Sequence, residues 1–248
     1  MEGTWVQFRG ASCKLEDMDA LDRLIVALDV PTAEDARNLI ATLGESVRFY
    51  KVGKQLFTAL GPDFVRELRA SNRKVFLDLK YKDIPNTVAG AVAEAAKLGV
   101  SMITVHASGG SKMLKAAAEA AASSESKPMI LGVTVLTSMS QEDLAEIGVT
   151  DPMEKQVVRL ARLAINAGCG GVVASALEAK AIRAELGKGF AIVTPGVRLA
   201  DGDKGDQARV VTPRAAIEAG ATHLVVGRPI TEAKSPVAAA REFVAEIG

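Results

Sequence analysis

Five charged residues fall at or just past the ends of otherwise apolar runs. Asp29 closes LIVALD, Lys51 lies in FYKVG, Asp78 and Lys80 lie in KVFLDLK, and Asp83 follows three residues after Lys80. Lys51, Asp78, Lys80 and Asp83 bring no His, Ser or Cys nucleophile and no metal-type cluster, so the chemistry they suit is electrostatic. A lysine flanked by carboxylates keeps its proton, because nearby negative charge favours the cationic form. Such an ammonium can neutralise a carbanion and then protonate it. Residues two apart on a strand share a face, so Asp78 and Lys80 are expected to enter one site together while Leu77 and Leu79 face the other way. The competing reading is a salt bridge that caps a sheet, with Asp83 as N-cap of a helix that starts near Pro85, where proline suits the first turn.

A second set has the composition of a phosphate site. TPGVR offers Pro195, Gly196 and Arg198, and VGRPIT offers Gly227 and Arg228. Glycine permits close backbone approach, and the guanidinium fork matches phosphate oxygens. Between them runs LADGDKGDQARVVTP, long enough to fold over a ligand, with Gln207 as a neutral side chain able to bridge to the phosphate. Taken alone, this segment reads equally well as a solvated loop whose arginines pair with neighbouring acids.

Positioning both sets in one molecule requires a particular frame. Short β-branched runs alternate with longer helical patterns along the chain, at 24–29, 49–53, 74–80, 102–107, 129–136, 171–175, 191–197 and 223–229. That alternation is the mark of repeated βα units and a parallel sheet. Gly44, Gly99, Gly148, Gly168, Gly187 and Gly220 stand where helical stretches stop. Eight units in 248 residues predict a single-domain α/β protein, a (β/α)8 TIM barrel over residues 21–248, with residues 1–20 as an N-terminal extension without chemistry. In such a barrel the strand C-termini form the catalytic face, and phosphate sites recur after the last two strands. A doubly wound open sheet is disfavoured because the first βα turn, ALDVPTAEDA, lacks the Gly-rich turn that cradles a dinucleotide. No linker or composition shift divides the chain.

Composition narrows the partners. Lys+Arg and Asp+Glu number 30 each, so charge suggests neither nucleic-acid affinity nor attraction to a membrane surface. No run approaches the length of a membrane span and the opening segment lacks a signal-peptide core, so a cytoplasmic location is expected. Cys13 and Cys169 lie far apart without metal spacing, which fits a reduced compartment. His106 ends the fourth strand and His223 begins the eighth, the wrong end for catalysis; both read as structural.

The words LIVALD, KVG, DLKYKDIPNTV, VTVLTSM, TPGVR and VGRPIT, in this order, resemble the bacterial orotidine 5'-monophosphate decarboxylase family over residues 24–248. D-x-K-x-x-D alone is shared with sugar-phosphate decarboxylases and synthases of the same barrel group, whereas DIPNT with LTS and GRPIT is specific. The resemblance implies conversion of OMP to UMP and CO2 in pyrimidine biosynthesis, with no cofactor and no metal. It implies that Asp29 and Lys51 bind the ribose, that Lys51, Asp78, Lys80 and Asp83 form a charged relay, and that Lys80 donates the proton. Thr137 and Ser138 would face pyrimidine and ribose. Pro195, Arg198, Gln207, Gly227 and Arg228 would hold the phosphate or line its pocket. Asp83, Ile84 and Thr87 would enter a neighbouring subunit's site, which implies a homodimer. Lys82 is a departure, since many members of the family have His there; alternation from Lys80 turns it away from the mouth. The rival readings are a metal-dependent sugar-phosphate decarboxylase or aldolase on the same barrel, which needs a further acidic ligand for Mg2+, and a non-catalytic nucleotide-binding protein.

Overall fold

A computed structural model describes the backbone of residues 5–8 and 11–14, and residues 18–199 and 211–248 in full. Two short strands, β1 (Trp5–Phe8) and β2 (Ala11–Lys14), pair antiparallel from Trp5↔Lys14 to Phe8↔Ala11. The sequence reading assigned residues 1–20 no element. The overlooked signal was an aromatic and β-branched run followed by a two-residue connection that contains Gly10.

The eight expected strands are present as β3 (Leu24–Ala27), β4 (Phe49–Gly53), β5 (Lys74–Tyr81), β6 (Met102–His106), β7 (Met129–Val133), β8 (Gly171–Val173), β9 (Ala191–Pro195) and β10 (His223–Val226). They close a barrel in which β10 pairs with β3 and every barrel pairing is parallel. Helices connect the strands, so the fold is a (β/α)8 barrel. Several strands are shorter than their apolar runs. Val135, Leu136, Ser175 and Val197 lie past the ends of pairing, because the chain leaves the ladder there to build the mouth. The six glycines read as helix stops all have positive φ, from 49° at Gly44 to 108° at Gly220, the region where a Cβ is costly.

Strand periodicity sorts the side chains. Ile25, Ala27, Phe49, Phe76, Met102, Leu131, Ala191, Val193 and Val225 fill the barrel interior, while Leu24, Val26, Tyr50, Val75, Leu77 and Ile103 belong to the larger core that includes the helices. Burying Phe49 or Phe76 contributes roughly 2–3 kcal/mol each, and these rings plug the barrel beneath its mouth. Two residues further along each strand, on the same inward face, stand Asp29, Lys51, Asp78, Thr104, Val133, Val173, Pro195 and Gly227. Apart from the fully buried Thr104, this upper layer is the floor of the site. Among the described residues no helix is long and apolar enough to cross a membrane.

Candidate active site

A cavity of about 570 Å3 opens above that floor. Its wall includes Asp29, Lys51, Asp78, Lys80, Thr137, Ser138, Pro195, Arg198, Gly227 and Arg228, so ten of the sequence-predicted residues meet in one place. Gln207 lies outside the described residues. Asp83, Ile84 and Thr87 do not line the cavity; all three are exposed, Ile84 at 67%. The Asp83 carboxylate accepts from the Ile84 amide at 2.6 Å. Ile84 itself occupies the N-cap of helix Pro85–Ala96, so Asp83 is not the cap that the competing reading made of it.

The ionic set forms a chain of contacts. Lys51 Nζ donates to Asp29 Oδ1 at 2.9 Å and stands 3.7 Å from Asp78 Oδ2. Lys80 Nζ lies 2.8 Å from each Asp78 oxygen. The Lys51 and Asp78 side chains are only 10% and 11% exposed. Removing one partner of such a buried pair leaves an uncompensated charge, at a cost of about 3–5 kcal/mol. Burial pushes the Asp78 carboxyl up, but the Lys51 and Lys80 charges and the hydrogen bonds from Lys80 and Thr104 outweigh it and hold Asp78 below its ordinary value.

Simple alternation does not account for the meeting of Asp78 with Lys80. The β5–β6 register runs from Leu77↔Ile103 to Tyr81↔Val105, so β5 advances four residues while β6 advances two. The chain bulges between them, and Lys80 takes a left-handed φ of 54°, a conformation that costs a side-chain-bearing residue of order 1 kcal/mol. Bulges re-aim side chains beside active sites. This one turns the Lys80 ammonium back onto the carboxylate two residues earlier.

Two contributors escaped the sequence reading. Thr104 is completely buried; its Oγ1 donates to Asp78 Oδ1 at 2.9 Å and accepts from the Lys80 amide at 2.9 Å. At Gly53, a Cβ would stand 3.0 Å from Asp29 Oδ1 and 3.1 Å from Lys51 Nζ, so the absent side chain is the space the Asp29–Lys51 pair occupies. The inward parity with Met102 was the signal for Thr104; for Gly53 there was none beyond its place at a strand end.

The opposite wall is built from turns. Pro195 ends β9, Gly196 has φ 79°, and the Arg198 guanidinium donates to the Val197 carbonyl at 3.0 Å while being 6% exposed. Val197 bridges Val211, and the Arg198 amide donates to the Val211 carbonyl at 3.1 Å, pinning together both ends of the intervening segment. Gly227 precedes Arg228, the exposed first residue of helix Arg228–Thr231, and Thr231 and Glu232 complete the wall.

Of the remaining candidates, His106 is half-buried at the rim. Burial, followed by the charges of Lys82, Lys54 and Lys80, lowers its pKa against the pull of Asp78. Lys82 is exposed and off the cavity wall. His223 is fully buried, its Nδ1 2.9 Å from Thr222 Oγ1, and burial with the charges of Arg23 and Lys74 pushes it down to about 3. Cys169 is a buried thiol pushed up to about 12 by burial. Among the described residues no three of His, Cys, Asp and Glu cluster to hold a metal ion.

Known proteins resemble this chain over most of its length. The family model described as "Orotidine 5'-phosphate decarboxylase / HUMPS family" matches residues 22–243. The orotidine 5'-phosphate decarboxylase of Idiomarina loihiensis is 52% identical over 229 residues, covering 92% of this chain and 99% of its own. That of Halorhodospira halophila is 55% identical over 225 residues, covering 91% and 95%. The crystal structure of orotidine 5'-phosphate decarboxylase from Lactobacillus acidophilus superposes with a TM-score of 0.81 at 40% identity, covering 91% of this chain and 98% of that one.

Proposed function

The chain belongs to the orotidine 5'-phosphate decarboxylase / HUMPS family, and from that membership we propose how its barrel mouth carries out the reaction. The activity is that of the relatives that match nearly its whole length: orotidine 5'-monophosphate is decarboxylated to UMP and CO2, a step of pyrimidine nucleotide synthesis.

When the bond between C6 and the carboxyl carbon breaks, CO2 leaves and the electron pair stays on C6. That pair lies in the ring plane, orthogonal to the π system, so the ring cannot delocalise it. A fixed cation beside C6 is the stabilisation left, and it costs no reorganisation if it is already held in place. In our reading Lys80 is that cation; its Nζ gives a proton to C6, forming the new C–H bond, and the neutral amine regains a proton from solvent. The observation that carries this is the Lys80 ammonium, seated 2.8 Å from both oxygens of Asp78 at the edge of the cavity. The two-oxygen contact supports a holding role for Asp78. Asp29 and Lys51 bind the ribose hydroxyls, with Thr137 and Ser138 facing pyrimidine and ribose. Pro195, Arg198, Gln207, Gly227 and Arg228 form the phosphate end, where binding energy remote from C6 organises the site.

The site is shared in this reading. Asp83, Ile84 and Thr87 lie off their own cavity, and Ile84 exposes an aliphatic side chain directly after the catalytic strand. These features support a homodimer in which each subunit lends the three residues to its partner's mouth, with Asp83 completing the charged relay there. Residues 1–20 remain an extension to the catalytic unit 21–248, and the enzyme works in the cytoplasm. Incubation with orotidine 5'-monophosphate is expected to release one CO2 per UMP formed; no CO2 release from folded protein would overturn the reading. Ile84→Asp is expected to convert a dimer to a less active monomer by sedimentation, and an active monomeric wild type would overturn the shared site.

A further inference from the structure

We infer that Thr104 is a positioning residue for proton delivery, acting through a single hydroxyl that fixes both members of the Lys80–Asp78 pair; the inference rests on the reading of Lys80 as proton donor. Thr104 is the one residue of β6 that falls inside the register skip, between Ile103 and Val105, and so faces the bulged stretch of β5. The ladder registers Leu77 and Tyr81 with β6 and skips the residues between them. Instead the Lys80 amide donates to Thr104 Oγ1 at 2.9 Å, which anchors the residue whose φ of 54° is the strained point of the strand.

A hydroxyl has one proton and two lone pairs. With the Lys80 N–H filling an acceptor site, the Thr104 proton is directed to Asp78 Oδ1 at 2.9 Å. One atom thus sets the backbone from which the ammonium springs and the carboxylate on which it rests. Thr104 is fully buried and absent from the cavity wall, so it acts through these two residues and not on the substrate. Its β-branched side chain is stiff at χ1, which suits a fixed support. The hydroxyl also helps hold Asp78 ionised, because a donor to a carboxylate favours its charged form.

The experiment compares wild type, Thr104→Val, Thr104→Ser and Lys80→Ala with orotidine 5'-monophosphate. Thr104→Val keeps the shape and deletes both hydrogen bonds. Its kcat is expected to fall about 10- to 100-fold, the loss of a hydrogen bond to a charged group, with KM within about twofold. Removing a donor raises the Asp78 pKa, so the acid limb of its kcat profile moves to higher pH. Thr104→Ser is expected to recover most of the rate and the wild-type limb. If Thr104→Val does not fold, Thr104→Cys, a weak donor and acceptor, takes its place with the same displaced limb. Wild-type kcat and limb in the hydroxyl-free variant, or equal impairment of Thr104→Ser, would overturn the inference. Failure of wild type to turn over, or full activity of Lys80→Ala, would overturn the functional reading beneath it.

Discussion

Along β3 to β6 the mouth is walled by side chains that hold one another: Lys51 on Asp29 and Asp78, Lys80 on Asp78, and Thr104 on both Asp78 and the Lys80 backbone. Past β9 and β10 it is walled by Pro195, glycine backbone and two arginines, Arg198 after the turn at Gly196 and Arg228 at the start of a one-turn helix. The first half is wired before substrate arrives, as stabilising a charge that exists only in the transition state demands. In the proposed reading the second half presents donors to the phosphate, a group whose charge does not change in the reaction, so its task there is binding, and turns serve that as well as strands do. The difference teaches where rigidity is needed: at the atom that reacts, and not at the handle by which the substrate is held.

Breaking the wired half is expected to cost most. Asp78→Asn leaves Lys51 and Lys80 without their shared carboxylate; kcat is expected to drop at least about 10³-fold and the protein to lose about 3 kcal/mol against urea. A kcat within tenfold of wild type would show that Lys80 needs no seat. Arg228→Ala, in the other half, is expected to lower kcat/KM about 10- to 100-fold, the range for a hydrogen bond to a charged group, without loss of stability. An unchanged kcat/KM would remove Arg228 from the phosphate end. A gentler perturbation of the wired half, Gly53→Ala, pushes a Cβ to 3.0 Å from Asp29 and 3.1 Å from Lys51. Displacement of a few tenths of an ångström is expected to cost about 3- to 10-fold in kcat/KM, since misplacement by 1 Å costs on the order of 10²-fold; no effect would show the pair has room to move.

An effect on stability alone lies beneath both halves. His223 is buried neutral, with its folded pKa pushed to about 3 from 6.5. The unfolded chain therefore binds one more proton than the folded chain between these values. Stability from this group is complete above pH 6.5 and falls with acid at up to about 1.4 kcal/mol per pH unit. Urea midpoints at pH 7 and pH 4.5 are expected to diverge less in His223→Gln than in wild type, and equal divergence would assign the acid loss to other groups.

The sequence displayed much of this because periodicity carries geometry. Their place at the ends of apolar runs put Asp29, Lys51 and Asp78 at the barrel mouth, where the structure has them lining the cavity, and the alternating runs counted out the βα units with glycines marking the helix ends. Lys80 was placed in the right spot for an incomplete reason, since the two-residue spacing hid a bulge that depends on pairing with β6. Only inward parity marked Thr104 and only a strand-end position marked Gly53: a threonine in an apolar strand and a glycine at a strand end acquire their roles from neighbours across the sheet. The β1–β2 hairpin was missed because two four-residue strands leave little periodicity to detect.

The central claim, that one preorganised lysine delivers the proton and no metal is needed, meets its most direct test in turnover of orotidine 5'-monophosphate by EDTA-treated wild type beside EDTA-treated Lys80→Ala, followed by absorbance. Undiminished wild-type turnover with a loss of about 10⁴-fold or more in Lys80→Ala, the reach of general-acid and electrostatic catalysis together, is the predicted result. Abolition of wild-type activity by EDTA with recovery on adding Mg2+, or a Lys80→Ala variant with near wild-type turnover, would contradict it.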